Sequence, residues 1–196
     1  MINIRYAQIR ECDVSNGDGV GVALFVQGCN FHCFNCFNKD TWDFNGGKEW
    51  TPEIEDKFIE LANKPYIKRI SILGGEPLAD ENLDGVLNLV NRFRLLLPEK
   101  TIWLYTGFTW ETIWDNALDN MFNLGVEELS LTKECEQSLE LFKMRREIIK
   151  QCDVLIDGRY VDSLRNIQLK YRGSENQRVI DIKKSLEQNK MVLWCD

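Results

Sequence analysis

Short apolar runs rich in branched residues alternate along this chain with longer segments whose apolar positions recur at helical spacing. Val20 to Val26 leads to Gly28, Ile70 to Leu73 ends at Gly74-Gly75, Ile102 to Tyr105 at Thr106-Gly107, and Asp153 to Ile156 at Asp157-Gly158. Each reads as a strand ending in a turn. Thr51 caps and Pro52 opens a helix with Ile54, Phe58 and Leu61 on one face. Asp80 is expected to cap a second, carrying Leu83, Val86, Leu87, Val90 and Phe93, which Pro98 stops. A third helix is expected near Thr109, and Leu139, Phe142 and Ile149 mark a fourth. Leu129 to Leu131 and Val179 to Ile182 read as further strands. Strand, helix, strand with connections this long predicts parallel pairs joined by right-handed crossovers. Function then belongs at the C-terminal ends of the strands, where the glycine-bearing turns fall.

A complete eight-stranded β/α barrel takes ~250 residues. The chain has 196, so any barrel must be a partial, incomplete one within a single domain, residues 1–196. The weaker patterning from about residue 158 reads as a C-terminal extension, 158–196. With 44% hydrophobic and 28% charged residues the chain has a core to bury, which excludes global disorder. A net charge of −7 without a long basic run argues against nucleic acid and anionic membranes as partners. No apolar run approaches the ~18 residues of a membrane span, and Met1 to Ala7 lacks a signal-like start. A cytoplasmic protein is expected.

Seven cysteines, three of them within eight residues, do not look like a disulfide framework. The segment Cys29-Asn-Phe-His-Cys33-Phe-Asn-Cys36 places three thiolates on one short loop. Three thiolates suit three irons of a cubane, leaving a fourth iron open to a small molecule, whereas electron-carrying clusters take four cysteines. Competing readings are a zinc site using His32, the single histidine, and a carrier cluster completed by Cys12. Adjacent residues such as His32 and Cys33 rarely converge on one ion. Cys135, Cys152 and Cys195 read as buried thiols. Gly74-Gly75-Glu76-Pro77 removes side-chain bulk where backbone meets a ligand, or is an ordinary turn, and Glu76 pairs with a cation or is solvated. Thr106-Gly107 and Asp157-Gly158 read as turns.

CxxxCxxC followed a strand later by Gly-Gly-Glu-Pro resembles the radical S-adenosylmethionine (SAM) enzymes. The closer resemblance is to the anaerobic ribonucleoside-triphosphate reductase activating proteins. It runs through Asp13–Gly17, Leu24–Cys29, Cys36–Trp42, Gly74–Leu78, Ile102–Gly107, Leu155–Tyr160 and Arg172–Gln177. Two positions depart from the pattern. Asn35 stands where many relatives carry an aromatic residue that packs on adenine, which leaves Phe37 for that contact; Asp18 and Gly21 replace a proline and an arginine.

The resemblance implies a partial TIM-like β/α barrel with the cluster at its open mouth. It implies that Cys29, Cys33 and Cys36 hold a [4Fe-4S] cluster whose fourth iron chelates SAM, and that backbone around Asn35, Cys36, Phe37 and Gly75 holds the cofactor. The implied reaction is reductive cleavage of SAM, followed by hydrogen abstraction from a glycine of the partner reductase. The implied electron donor is a flavodoxin or ferredoxin. Arg159, Arg172 and Arg178 face the partner reductase or are simply solvated. Alternatives are another small radical SAM enzyme, such as a pyruvate formate-lyase activase or a deazapurine-forming synthase, or a plain iron–sulfur carrier.

Overall fold

The computed structural model describes residues 4–114 and 133–195. Strands β1 (Arg5–Asp13), β2 (Gly21–Val26), β3 (Lys48–Glu49), β4 (Arg69–Gly74), β5 (Thr101–Tyr105), β6 (Val154–Asp157), β7 (Arg178–Asp181) and β8 (Leu193–Cys195) form one sheet. Its order is β3-β1-β2-β4-β5-β6-β7-β8. The central strands β2, β4, β5 and β6 are parallel, with Val26 beside Gly74, Ile72 beside Leu104 and Tyr105 beside Ile156. The described α-helices are α1 (Pro52–Ala62), α2 (Leu83–Leu96), α3 (Trp110–Ile113), α4 (Lys133–Lys150) and α5 (Ile182–Glu187), beside three short 3-10 turns.

The flanks differ from the expected barrel. β1 runs antiparallel to β2 and β3 to β1, while β7 runs antiparallel to β6 and β8 to β7. Only residues 14–20 separate β1 from β2, too few for a helical crossover, so that pair must reverse direction. The sheet is open, with β3 and β8 at its edges.

The helices cover one face. Val22, Leu24, Val26, Ile70, Ile72, Ile102, Leu104 and Leu155 pack there against Phe58 of α1, Val86, Leu89, Val90 and Phe93 of α2 and Ile148 and Ile149 of α4. Thr51 caps α1 as expected, its Oγ1 accepting from the Ile54 amide. Asp80 does not cap α2. It lies in a 3-10 turn, Asp80–Asn82, and pairs with Arg145 of α4. Asn82 precedes the helix but spends its amide on the carbonyls of Gln27 and Glu76, 3.0 and 2.9 Å away.

The opposite face carries Trp103, Val154, Ile156 and Val179 in one small cluster and Ala23, Phe25 and Leu73 in another. Beside them lies a buried ion pair, Arg69 to Asp13 at 2.8 Å. Arg69 also donates to the Asp18 carbonyl and to Ser71, whose hydroxyl donates to the Asn16 carbonyl at 2.6 Å. This network holds the 14–19 loop under the sheet. It also accounts for Gly21, where a Cβ would meet the Arg69 guanidinium at 2.5 Å. Of the three thiols expected to be buried, Cys152 is buried, Cys195 half-buried and Cys135 exposed on the first turn of α4. Cys135 shares a helical stripe with Leu139 and Ile149, but residues 133–138 at the start of α4 are all exposed, so its expectation fails. The strand expected at Leu129 to Leu131 lies outside the described residues.

Candidate functional site

The chain leaves β2 into a frame of main-chain hydrogen bonds. The Gly28 amide donates to Thr41 at 2.8 Å and the Cys29 amide to Trp42 at 3.0 Å. From the neighbouring strand end, Gly75 donates to Val26 at 2.9 Å and Glu76 to Gly28 at 2.7 Å. A Cβ at Gly75 would lie 2.3 Å from the Gly28 carbonyl oxygen, so glycine is required there for two backbones to touch. Beyond Cys29, His32 and Asn35 both adopt left-handed backbone, φ 46° and 54°, each immediately before a cysteine. These turns curl the loop, and the Cys36 amide closes on the Cys33 carbonyl at 3.1 Å.

Cys29, Cys33 and Cys36 thereby line one cavity of about 460 Å³, in the usual range for small-molecule sites. Its walls include Gly74, Gly75, Thr106, Gly107 and Gly158, so all four strand-end turns open on it. His32 does not take part; its exposed ring packs on Trp42, centroids 4.7 Å apart. Among the described residues no three His, Cys, Asp or Glu side chains converge on a single-ion site. Cys12 is exposed on β1 and is not part of the cavity wall.

Glu76 is neither solvated nor paired directly with a cation. It is buried, and its carboxylate accepts from Thr106 Oγ1 and the Gly107 amide, both at 2.7 Å, and from the Leu78 amide at 2.9 Å. It therefore ties the Gly-Gly loop to the Thr-Gly loop. Burial pushes its carboxyl up to about 7, against the pull of the three donors and Arg145. Burial likewise raises the Cys29 and Cys33 thiols, assisted by the charges of Glu76 and Cys36 respectively.

Of the expected cofactor contacts, Cys36, Phe37 and Gly75 line the cavity. Asn35 does not; its side chain donates to Asp162 at 3.1 Å. The three arginines are not a solvated set. Arg159 lies over the Phe31 ring at 4.2 Å and lines the cavity, as does Arg172. Arg178 forks between Glu111 and Asp157, whose other contact is the Trp110 amide.

Sequence reasoning missed the wall residues Trp42 and Tyr105, and it named Arg172 without placing it in the wall. Each presents a buried N–H or O–H group without a hydrogen-bond partner: Trp42 Nε1, Tyr105 Oη and Arg172 Nε. Burial raises the Tyr105 phenol, so it stays a donor at neutral pH. The alternation of β5 held a signal for it, since Ile102 and Leu104 face the helices and Trp103 and Tyr105 must face the other way.

Such a site suits a metal cluster with a polar ligand beside it. Three thiols can ligate iron, whose charge reverses the burial effect by favouring thiolates, and the unpartnered donors suit a ligand rich in oxygen. A family described as a 4Fe-4S single cluster domain matches residues 15–180. At 35% identity, 178 residues align with the anaerobic ribonucleoside-triphosphate reductase-activating proteins of Salmonella typhi and Escherichia coli (strain K12), covering 90% of this chain and 97% of theirs. The protein of the same name from Enterobacteria phage T4 is 32% identical over 176 residues, 90% of this chain and 93% of its own. The chain belongs to the family of anaerobic ribonucleoside-triphosphate reductase-activating proteins.

Proposed function

We propose that this chain is the radical SAM activase of a class III ribonucleoside-triphosphate reductase, producing the reductase's glycyl radical. The observation that carries the reading is the opening of the cysteine loop and the other three strand-end turns on one cavity lined with unpartnered donors. Cys29, Cys33 and Cys36 would hold a [4Fe-4S] cluster, which would leave one iron without a cysteine for SAM. Bound together, cluster and SAM supply one-electron cleavage of the sulfonium and abstraction of a glycine hydrogen.

The chain's own part is to bind, orient and exclude water. Backbone at Cys36 and Gly75 would carry the cofactor's polar end, and the Phe37 ring would pack on adenine. Trp42 Nε1, Tyr105 Oη and Arg172 Nε, which lack partners within the chain, would donate to its oxygen atoms. Glu76 takes no proton from substrate; it holds the Gly75 and Gly107 turns at a fixed separation through its bonds to Thr106 and Gly107. Phe25, Leu73 and Tyr105 form an apolar floor that keeps water from the reacting atoms.

We read the four parallel strands as part of a trimmed β/α barrel whose missing staves leave room for a protein substrate. Residues 1–196 form one domain in this reading, with 158–196 as its extension, and a single sheet holding every described strand supports it. The electron donor is a flavodoxin or ferredoxin, and the compartment is the cytoplasm. No helix among the described residues is long and apolar enough to cross a membrane. The test is anaerobic reconstitution with iron and sulfide, then dithionite and SAM. We expect 5′-deoxyadenosine, and, with the reductase added, an EPR doublet from a glycyl radical; intact SAM would overturn the reading.

A further inference from the structure

Four large apolar side chains stand exposed on the two segments that wall the cavity. Phe34 and Phe37 are 76% and 62% exposed on the cysteine loop; Leu164 and Ile167 are 39% and 85% exposed on the segment after β6. Single exposed hydrophobics are ordinary, but several on two linked segments that contribute to one cavity wall, Phe37 lining the cavity itself, mark an interaction site. The two segments are stitched together. Asn35 donates to Asp162 at 3.1 Å, the Phe37 and Tyr160 rings are 5.1 Å apart, and the Arg165 guanidinium lies 5.2 Å from the Phe37 centroid.

Charge follows the same boundary. Residues 159–177 carry Arg159, Arg165, Lys170 and Arg172 against only Asp162 and Glu175, in a chain whose net charge is −7. Asp162 is already engaged by Tyr160 at 2.8 Å and by Asn35. The mouth is thus an apolar and basic rim on an acidic protein.

We infer that this rim docks the substrate polypeptide: a segment of the reductase flanking its glycine, bearing apolar side chains beside carboxylates. The inference rests on the activase reading, because a glycine within a protein reaches the cavity only when the surrounding polypeptide seats on its mouth. Apolar side chains of that segment cover Phe34, Leu164 and Ile167, and its carboxylates meet Arg165 and Lys170. Phe37 stands at the boundary between rim and cofactor.

The test uses the reconstituted full-length protein with Leu164→Asp and Ile167→Asp combined, and separately Arg165→Glu. Leu95→Asp on α2, at a position 81% exposed and on the helix-covered side, is the control. SAM cleavage by dithionite without reductase is measured beside reductase affinity and glycyl-radical yield. We expect the double variant to cleave SAM like the unaltered protein while binding the reductase about tenfold or more weakly, with radical yield falling in step. Arg165→Glu slows association most at low salt, and Leu95→Asp changes nothing. Undiminished affinity and radical yield in the double variant would overturn the docking rim while leaving the activase reading intact. Failure of the unaltered protein to cleave SAM would overturn that reading, and the rim with it.

Discussion

The two faces of the sheet are built on opposite principles. Towards the helices, every inward residue of β2, β4 and β5 is aliphatic and buried in one continuous core. Towards the loops, the same strands present Phe25, Arg69, Ser71, Leu73, Trp103 and Tyr105, broken into small clusters around an ion pair and a cavity. Parallel strands buried on both sides are usually aliphatic on both. The departure teaches where stability and chemistry are kept: the helix face holds the fold, and the loop face gives up packing to hold a ligand.

The sharpest break in that comparison is among the cysteines. Alanine at Cys29, Cys33 or Cys36 should each abolish the intact cluster, measured as iron content and visible absorbance. Cys152→Ala on the helix face and Cys12→Ala on β1 should keep about four irons per chain, as a cubane requires. Collapse of the Cys12 variant would mean a fourth cysteine ligand and end the open-iron mechanism.

Next in size is Arg69→Met. Burial alone would raise the Asp13 carboxyl, but the hydrogen bonds from Arg69 and Asn16 together outweigh it and hold it below the usual carboxylate range. Losing the guanidinium leaves a buried charge, at a cost of about 3–5 kcal/mol by urea denaturation. A loss below about 1 kcal/mol would show that the loop face tolerates unpaired charge.

Glu76 sits on the seam between the faces and makes a pH prediction. Its folded carboxyl titrates at about 7 against 4.5 for an ordinary glutamate, so between those values the folded state binds the extra proton. Its stability contribution is therefore full below the lower value and lost as pH rises through the upper one, by about 3 kcal/mol at most. Denaturation of the metal-free chain at several pH values should show this decline, and Glu76→Gln should lack it. Parallel profiles for the two proteins would remove Glu76 as the cause.

The smallest effect belongs to the helix face. Ile72→Val removes one buried methyl group, which should lower stability by about 1 kcal/mol and leave SAM cleavage per folded molecule unchanged. A change in cleavage rate there would mean the two faces are coupled.

Legibility in the sequence followed the same division. The aliphatic strands β2, β4, β5 and β6 and the capped helix α1 stood out because burial on the helix face writes a continuous apolar signal. β1, with the sequence Arg-Tyr-Ala-Gln-Ile-Arg-Glu-Cys-Asp, carries no such run and becomes a strand by pairing with β2. Its antiparallel course and that of β7 are long-range choices, and they make the flanks depart from the all-parallel partial barrel that was expected. The Asp80 cap failed because Arg145, 65 positions away, claims its carboxylate. At the site, local spacing made the three cysteines readable. Glu76, Trp42 and Arg172 act through partners or walls distant in the chain, and nothing adjacent to them announces that.

Cys29 hangs from Trp42, and its neighbours Gly28 and Gly75 from Thr41 and Val26, through peptide groups alone. None of these bonds uses a metal, and the helix-side core beneath them uses none either. Small zinc domains work the other way, since their chains collapse only around the ion. Here the socket is separate from its plug. We therefore expect a chain that has lost its cluster to oxygen to keep its far-UV circular dichroism and to regain visible absorbance from iron and sulfide without a refolding step; loss of the dichroism with the cluster would show the two to be coupled.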